Sequence, residues 1–173
     1  MSEQVSRWLD IIQATKREMG LAQASYPDDL VLALIEVESA GDPDAHRTNS
    51  QFHGLLQMGA LAGEDAGFAQ RGRDTTEALL GDGRLAIQKF IEYQERYKSR
   101  HCYQPTRCAL LWKAGPGTLR TVNDLMAREG LTLNAAIEKG AANIPNTVEY
   151  IRRFRGARER WSAWIDAKKV MPI

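Results

Sequence analysis

Two glutamates stand in a stretch that is otherwise suited to a protein core. Residues 29–40 read DLVLALIEVESA, a nearly continuous apolar run carrying Glu36 and Glu38. In a helix, positions two apart point about 200° away from each other, so these carboxylates cannot serve one ligand as a pair. Glu38 follows Leu34 and Ile35 by one turn, with Val31 one turn further back, and so lies on an apolar face. Burial disfavours the charged form of a carboxyl group and raises its pKa. A carboxyl group still protonated near neutral pH is a general acid, which glycoside cleavage needs at its leaving oxygen. The competing reading is structural: a glutamate near a helix end that pairs with a cation such as Arg47.

The residues downstream form a pattern with Glu38. Glu38-Ser39 is followed by Pro43 and Ala45, and then by Gly54-Leu55-Leu56-Gln57-Met58. A later apolar stretch ends in Leu111-Trp112-Lys113-Ala114-Gly115-Pro116-Gly117, and Pro145, Thr147 and Tyr150 open the last long helix. These pieces, in this order over residues 27–153, resemble the lytic transglycosylase catalytic domain, a bacterial and phage relative of goose-type lysozyme. The family pattern is E-S-x-x-x-P-x-A, then G-L-M-Q, then A-Y-N-A-G-P-G, then P-x-T-x-x-Y. Leu56 stands where the family usually has Met, Arg47 stands at a common Ser position, and Lys113 replaces an Asn that lines the groove near the reacting sugar. A lysine donates hydrogen bonds but accepts none, and near Glu38 its charge would favour the ionised carboxylate.

The resemblance implies an all-α, lysozyme-like single domain with a substrate cleft. The resemblance covers the core over 27–153; an N-terminal helix over residues 1–24 and a basic helix end over 154–173 lie outside it. The implied substrate is the glycan strand of peptidoglycan, cut at the β-1,4 link from N-acetylmuramic acid to N-acetylglucosamine. Most glycosidases use two carboxylates for such a bond, whereas the resemblance implies that Glu38 alone is catalytic. Glu38 would protonate the leaving oxygen and then take the proton of the muramic acid 6-hydroxyl, which closes a 1,6-anhydro ring. Ser39 and Gln57 would bond sugar substituents, and Gly54 would let the backbone approach the sugar. Tyr150 would hold Glu38 or the N-acetyl group. Leu55, Leu56, Trp112, Lys113, Ala114 and Gly115 would complete the binding surface. No cofactor or metal is implied, and His46, His53 and His101 are scattered rather than at ligand spacing.

Two other functions stay open at this point. A true lysozyme on the same fold would need a second carboxylate to position water, and Asp42, Asp44, Glu64 and Asp65 are the candidates. A non-catalytic helical component of a phage particle would carry the same residues as remnants.

Helices must position these groups, because alternating β-branched runs are missing. Val5, Trp8, Leu9, Ile12 and Met19 recur at helix spacing. Ser25, Pro27 and Asp28 start a helix that Gly41 stops. Asp82 caps a long helix, and Thr106–Lys113 forms a shorter one broken at Ala114–Gly117. Thr132 caps Leu133–Lys139, and Thr147–Ala167 is the last helix. A short hairpin is expected at most within Thr48–His53. Arg71, Arg73 and Asp74 read as a solvated loop.

Composition bounds the rest. The 173 residues are 43% hydrophobic and 26% charged, enough for one globular core and too ordered a mixture for a disordered chain. The longest apolar run, Leu30–Ile35, is far short of the roughly 18 residues of a membrane span. With a net charge of +1, bulk charge points to no nucleic-acid partner, and a monomer is expected. Cys102 and Cys108 read as unpaired thiols, with a small-loop disulfide as the alternative. The first residues lack a basic start and an apolar segment, so delivery to the wall by holin release or within a phage virion is expected. Residues 145–173 carry a charge of +4. Their arginines, with Trp161 and Trp164, suit an anchor to an anionic envelope, or equally the outer face of a packed helix.

Overall fold

A computed structural model of the chain describes residues 1–22, 24–46, 51–68 and 76–170. Arg47, Thr48, Arg71, Arg73 and Asp74 lie outside the described residues. The described residues are mostly helical, with one small hairpin among them, and their buried apolar side chains form one hydrophobic cluster.

The N-terminal periodicity gives two helices rather than one, α1 (Glu3–Ser6) and α2 (Leu9–Glu18). The break lets Trp8 turn inward: its indole N–H donates to the Gly41 carbonyl at 3.0 Å, and its ring lies where a Cβ on Gly83 would stand. Further along α2, Lys16 is buried and ion-paired with Asp28, while its ammonium also donates to the Tyr26 carbonyl at 3.3 Å.

Helix α3 (Asp28–Ser39) carries the two glutamates. Every residue from Leu30 to Ile35 is fully buried, so this helix is wrapped rather than half-covered. Pro27 precedes it, and Ala40 ends it in the left-handed region at φ 54°. The expected stop at Gly41 thus comes one residue early, and Gly41 continues the reversal at φ 92°. The Ser39 hydroxyl accepts the Gly41 N–H at 3.2 Å and donates to the Ile35 carbonyl at 3.3 Å, which closes the helix end.

The hairpin begins at the end of its expected span and continues downstream of it. Strand β1 (Phe52–His53) pairs antiparallel with β2 (Met58–Gly59), so Gly54–Gln57 is the turn. Gly54 has φ 75°, and a Cβ there would come within 2.7 Å of the Leu79 carbonyl oxygen. Helix α4 (Ala60–Asp65) and a 3-10 turn (Thr76–Leu79) lead to α5 (Gly83–Arg96), where Asp82 accepts the Leu85 N–H at 2.8 Å as expected.

Helix α6 (Lys98–His101) is short, and α7 (Pro105–Glu129) is interrupted at Gly115 (φ 77°, ψ 173°), immediately before Pro116. The break follows from proline, which cannot donate to the helical ladder. Helix α8 (Leu133–Gly140) is capped by Thr132, and α9 (Thr147–Val170) closes the fold. Cys102 is exposed, Cys108 is buried, and both thiols are free.

Among the described residues, helices α3 and α9 make the most extensive contact. Phe154 and Trp161 of α9 are fully buried. The Arg158 guanidinium lies 2.8 Å from the Asp29 carboxylate, and Glu36 receives both Arg160 and the Trp161 indole N–H, the latter at 2.6 Å. Trp161 is therefore a core residue, and Arg158 and Arg160 are tied across the helix pair.

Gly41 tests the seating of α1 against α3. A Cβ at this position would lie 2.6 Å from the Gln4 carbonyl oxygen, on a backbone that already favours glycine. Gly41→Ala should cost about 2 kcal/mol or more, from left-handed strain plus the clash. Urea unfolding checks this, and an unchanged midpoint would contradict the packing described.

Candidate functional site

Four elements converge on Glu38. The last turn of α3 supplies Glu38 itself, and the first turn of α9 supplies Tyr150. Trp112 and Lys113 come from α7 just before its break, and the β1–β2 turn supplies Gln57. The buried Tyr150 hydroxyl donates to Glu38 Oε1 at 2.6 Å. The Lys113 ammonium stands 5.4 Å from the centre of the Tyr150 ring, in cation–π contact with it. The Trp112 N–H donates to the Leu56 carbonyl at 3.2 Å, and the indole packs edge-on against Phe90 and Tyr93.

These groups line a cavity of about 410 Å³, together with Val37, Phe52, Asn146, Glu149 and Arg153. A second cavity of about 550 Å³ shares Phe52, Gln57 and Trp112 with it and continues to Leu61, Glu64, Asp65, Tyr93, Gly115 and Pro116. Phe52 and Leu61 are 55% and 81% exposed, so both apolar side chains face solvent.

The electrostatics of Glu38 are a contest between burial and its neighbours. Burial pushes the carboxyl up to about 7 from an ordinary 4.5. The Tyr150 hydrogen bond, the Lys113 charge, the Trp112 N–H and the Arg153 charge all pull it down, in that order, and burial outweighs them. A group titrating there is populated in both forms at neutral pH, so it can give a proton and take one back. Tyr150 itself is held well above the ordinary phenol value, first by burial and then by the Glu38 charge, and so it stays a donor.

The structure brings together Glu38, Gln57, Trp112, Lys113 and Tyr150 from the sequence expectations, with Gly115 on the second cavity. It uses the others differently. The Ser39 hydroxyl is engaged in the helix end. The close approach at Gly54 is to the Leu79 carbonyl. Leu55 and Leu56 are buried core residues, and Leu56 takes part through its carbonyl. Ala114 packs against the core and lines neither cavity. The Gln57 amide donates to the Ala45 and Gly54 carbonyls, at 2.6 and 2.9 Å, so its protons shape the turn.

Arg153, Phe52, Asn146 and Glu149 line the Glu38 cavity without having been read as site residues. Arg153 had a signal, because it follows Tyr150 by three on α9 and so shares its face. Phe52 had none, since its place depends on the hairpin pairing. Of the candidate second carboxylates, Glu64 and Asp65 line the second cavity. Asp65 accepts the Tyr97 hydroxyl at 2.7 Å and lies 3.6 Å from Arg96. The Asp42 side chain accepts the Asp44 N–H at 2.9 Å, and neither residue lines either cavity. Among the described residues, no group of His, Cys, Asp and Glu is arranged to hold a metal ion.

No protein-family model matches this chain, and no curated protein matches it.

The raised pKa of Glu38 makes a stability prediction of definite sign. Its favourable state is the protonated one, present below the ordinary value of 4.5 and lost as pH rises through about 7. Glu38→Gln keeps the neutral shape at every pH. Between about pH 4 and about pH 9 the variant should gain on the parent by up to about 3 kcal/mol. Urea unfolding at the two pH values measures the gain, and parallel stability curves would contradict the buried carboxyl.

Proposed function

We propose that this chain is a peptidoglycan lytic transglycosylase, similar to the catalytic domain whose motif order its sequence resembles. The observation that carries the reading is the Glu38 carboxyl, held near neutrality by burial and gripped by Tyr150 in a cavity open to a ligand. Glu38 protonates the oxygen that leaves from the anomeric carbon of N-acetylmuramic acid. The sugar's own N-acetyl carbonyl stabilises the positive charge that develops there. The ionised Glu38 then removes the proton of the muramic acid 6-hydroxyl, and that oxygen attacks the anomeric carbon. The glycosidic bond breaks, the 1,6-anhydro bond forms, and Glu38 ends protonated as it began. The Tyr150 hydroxyl stabilises the ionised intermediate form of Glu38 and fixes which oxygen points at the substrate.

The adjoining cavities are the substrate cleft of this proposal, with sugar rings on both sides of the bond. Phe52, Leu61 and Trp112 offer apolar surface to the ring faces. Such a substrate lies outside the cytoplasmic membrane, and phage-borne delivery belongs to the same proposal. No helix of the described residues is long and apolar enough to cross a membrane. Envelope attraction by α9 would rest on the charges that α3 leaves unneutralised.

A hydrolytic reading has one specific observation in its favour: Glu64 and Asp65 line the second cavity, where a second carboxylate could position water. The product separates the two. Digested peptidoglycan should carry 1,6-anhydromuramic ends, one water lighter than hydrolytic ends by mass spectrometry. A digest of reducing ends alone would select the lysozyme. Glu38→Gln should reduce wall cleavage by about 10² to 10⁴, the usual cost of a lost general acid–base. Activity within tenfold of the parent would remove Glu38 from its role. Glu36→Gln should instead keep the chemistry and lower stability by about 1–2 kcal/mol, through weakened bonding to Arg160 and Trp161.

A further inference from the structure

Two cations line the Glu38 cavity, Lys113 from α7 and Arg153 from α9. The other arginines of α9 have partners. Arg152 pairs with Glu149, Arg155 donates to Asn134 and Thr106, Arg158 meets Asp29, and Arg160 meets Glu36. Among the described residues, Arg153 and Lys113 form no ion pair with an acid; Lys113 rests on the face of the Tyr150 ring. The one further carboxylate on this cavity, Glu149, is engaged by Arg152.

Their placement lowers the pKa of the acid they flank. Tyr150 and Arg153 face Glu38 from α9, Trp112 and Lys113 face it from α7, and all four favour its ionised form. Each cation reduces the share of Glu38 that carries its proton, and an anion held between them would restore part of that share. A negative charge on the substrate does this, and it gains two charge-assisted bonds.

We propose that Lys113 and Arg153 form an anion-binding pair that takes a carboxylate carried on the muramyl side chain of the glycan. This rests on the glycan reading of the site and narrows its substrate class. The group of that chemistry nearest the scissile bond is the free lactyl carboxylate of N-acetylmuramic acid, and the carboxylates of an attached peptide are the other source. Docking of the carboxylate offsets one of the two positive charges, so more of Glu38 carries its proton when a substrate is in place.

Calorimetric titration of the Glu38→Gln chain tests this without turnover. The probes are three forms of one tetrasaccharide of alternating N-acetylglucosamine and N-acetylmuramic acid. One has free lactyl carboxylates, one has lactyl methylamides, and one carries peptides on the lactyl groups. The free acid should bind about ten- to a hundredfold more tightly than the methylamide, the range for hydrogen bonds to charged groups. Adding Lys113→Asn and Arg153→Gln should bring that ratio close to one, while Arg120→Gln, an exposed arginine elsewhere on α7, should leave it intact. Lys113→Arg should keep most of the discrimination, and thermal unfolding reports whether each variant is folded. Peptide-bearing glycan matching the free acid, with the same dependence on Lys113 and Arg153, would uphold the pair and assign the carboxylate to the peptide. Equal binding of free acid and methylamide, or a ratio that survives the double substitution, would overturn the pair and leave the glycan site standing. Binding of none of the three would overturn both.

Discussion

The site depends on how α3 is seated against α9. An apolar helix buried from Leu30 to Ile35 needs a long partner, and α9 supplies Phe154 and Trp161 as fully buried contacts. Three acidic residues of α3 then each take a polar group from α9: Asp29 meets Arg158, Glu36 meets Arg160 and Trp161, and Glu38 meets Tyr150. The first two pairs hold the helices in register. The third is displaced toward the end of the interface, where the packing opens into a cavity. Glu38 is therefore surrounded by protein on the helix side and accessible on the other, the combination that lifts a carboxyl group's pKa while leaving it able to reach a ligand.

The helical skeleton was legible because its signals are local. Asp82 and Thr132 cap the helices they precede, and the Gly115-Pro116 step interrupts α7 where the residues say it must. Glu38 could be singled out from its neighbours alone, since an apolar face around a carboxyl group is visible in the sequence. Features that depend on long-range contacts were not legible. The N-terminal helix divides where the Trp8 indole reaches Gly41, far along the chain, and no local residue announces that. Ser39 and Gly54 belong to the motif that resembles the transglycosylases, yet one closes a helix and the other clears the Leu79 carbonyl. A motif position can thus be required by the fold that presents a site rather than by the site itself.

Burial and charge are set against each other at this carboxyl group. Apolar surroundings alone would hold the proton on Glu38 so firmly that the group could not release it. The Tyr150 hydroxyl and the two cations lower its pKa toward neutrality, where both halves of an acid–base cycle are accessible. Lys113 is part of this balance, because its ammonium lies over the same tyrosine that donates to Glu38. An asparagine there would leave the carboxyl group with one less stabilising charge.

The most direct test of this account is the titration of Glu38 itself. In the folded chain labelled with ¹³C at glutamate carboxyl carbons, the Glu38 resonance is assigned by its loss in Glu38→Gln and followed with pH. The expected midpoint is about 7, the value to which burial raises the carboxyl group. A midpoint in the ordinary glutamate range, near 4.5, would mean that the carboxyl group is solvated and ionised at neutral pH, and the central claim would fall.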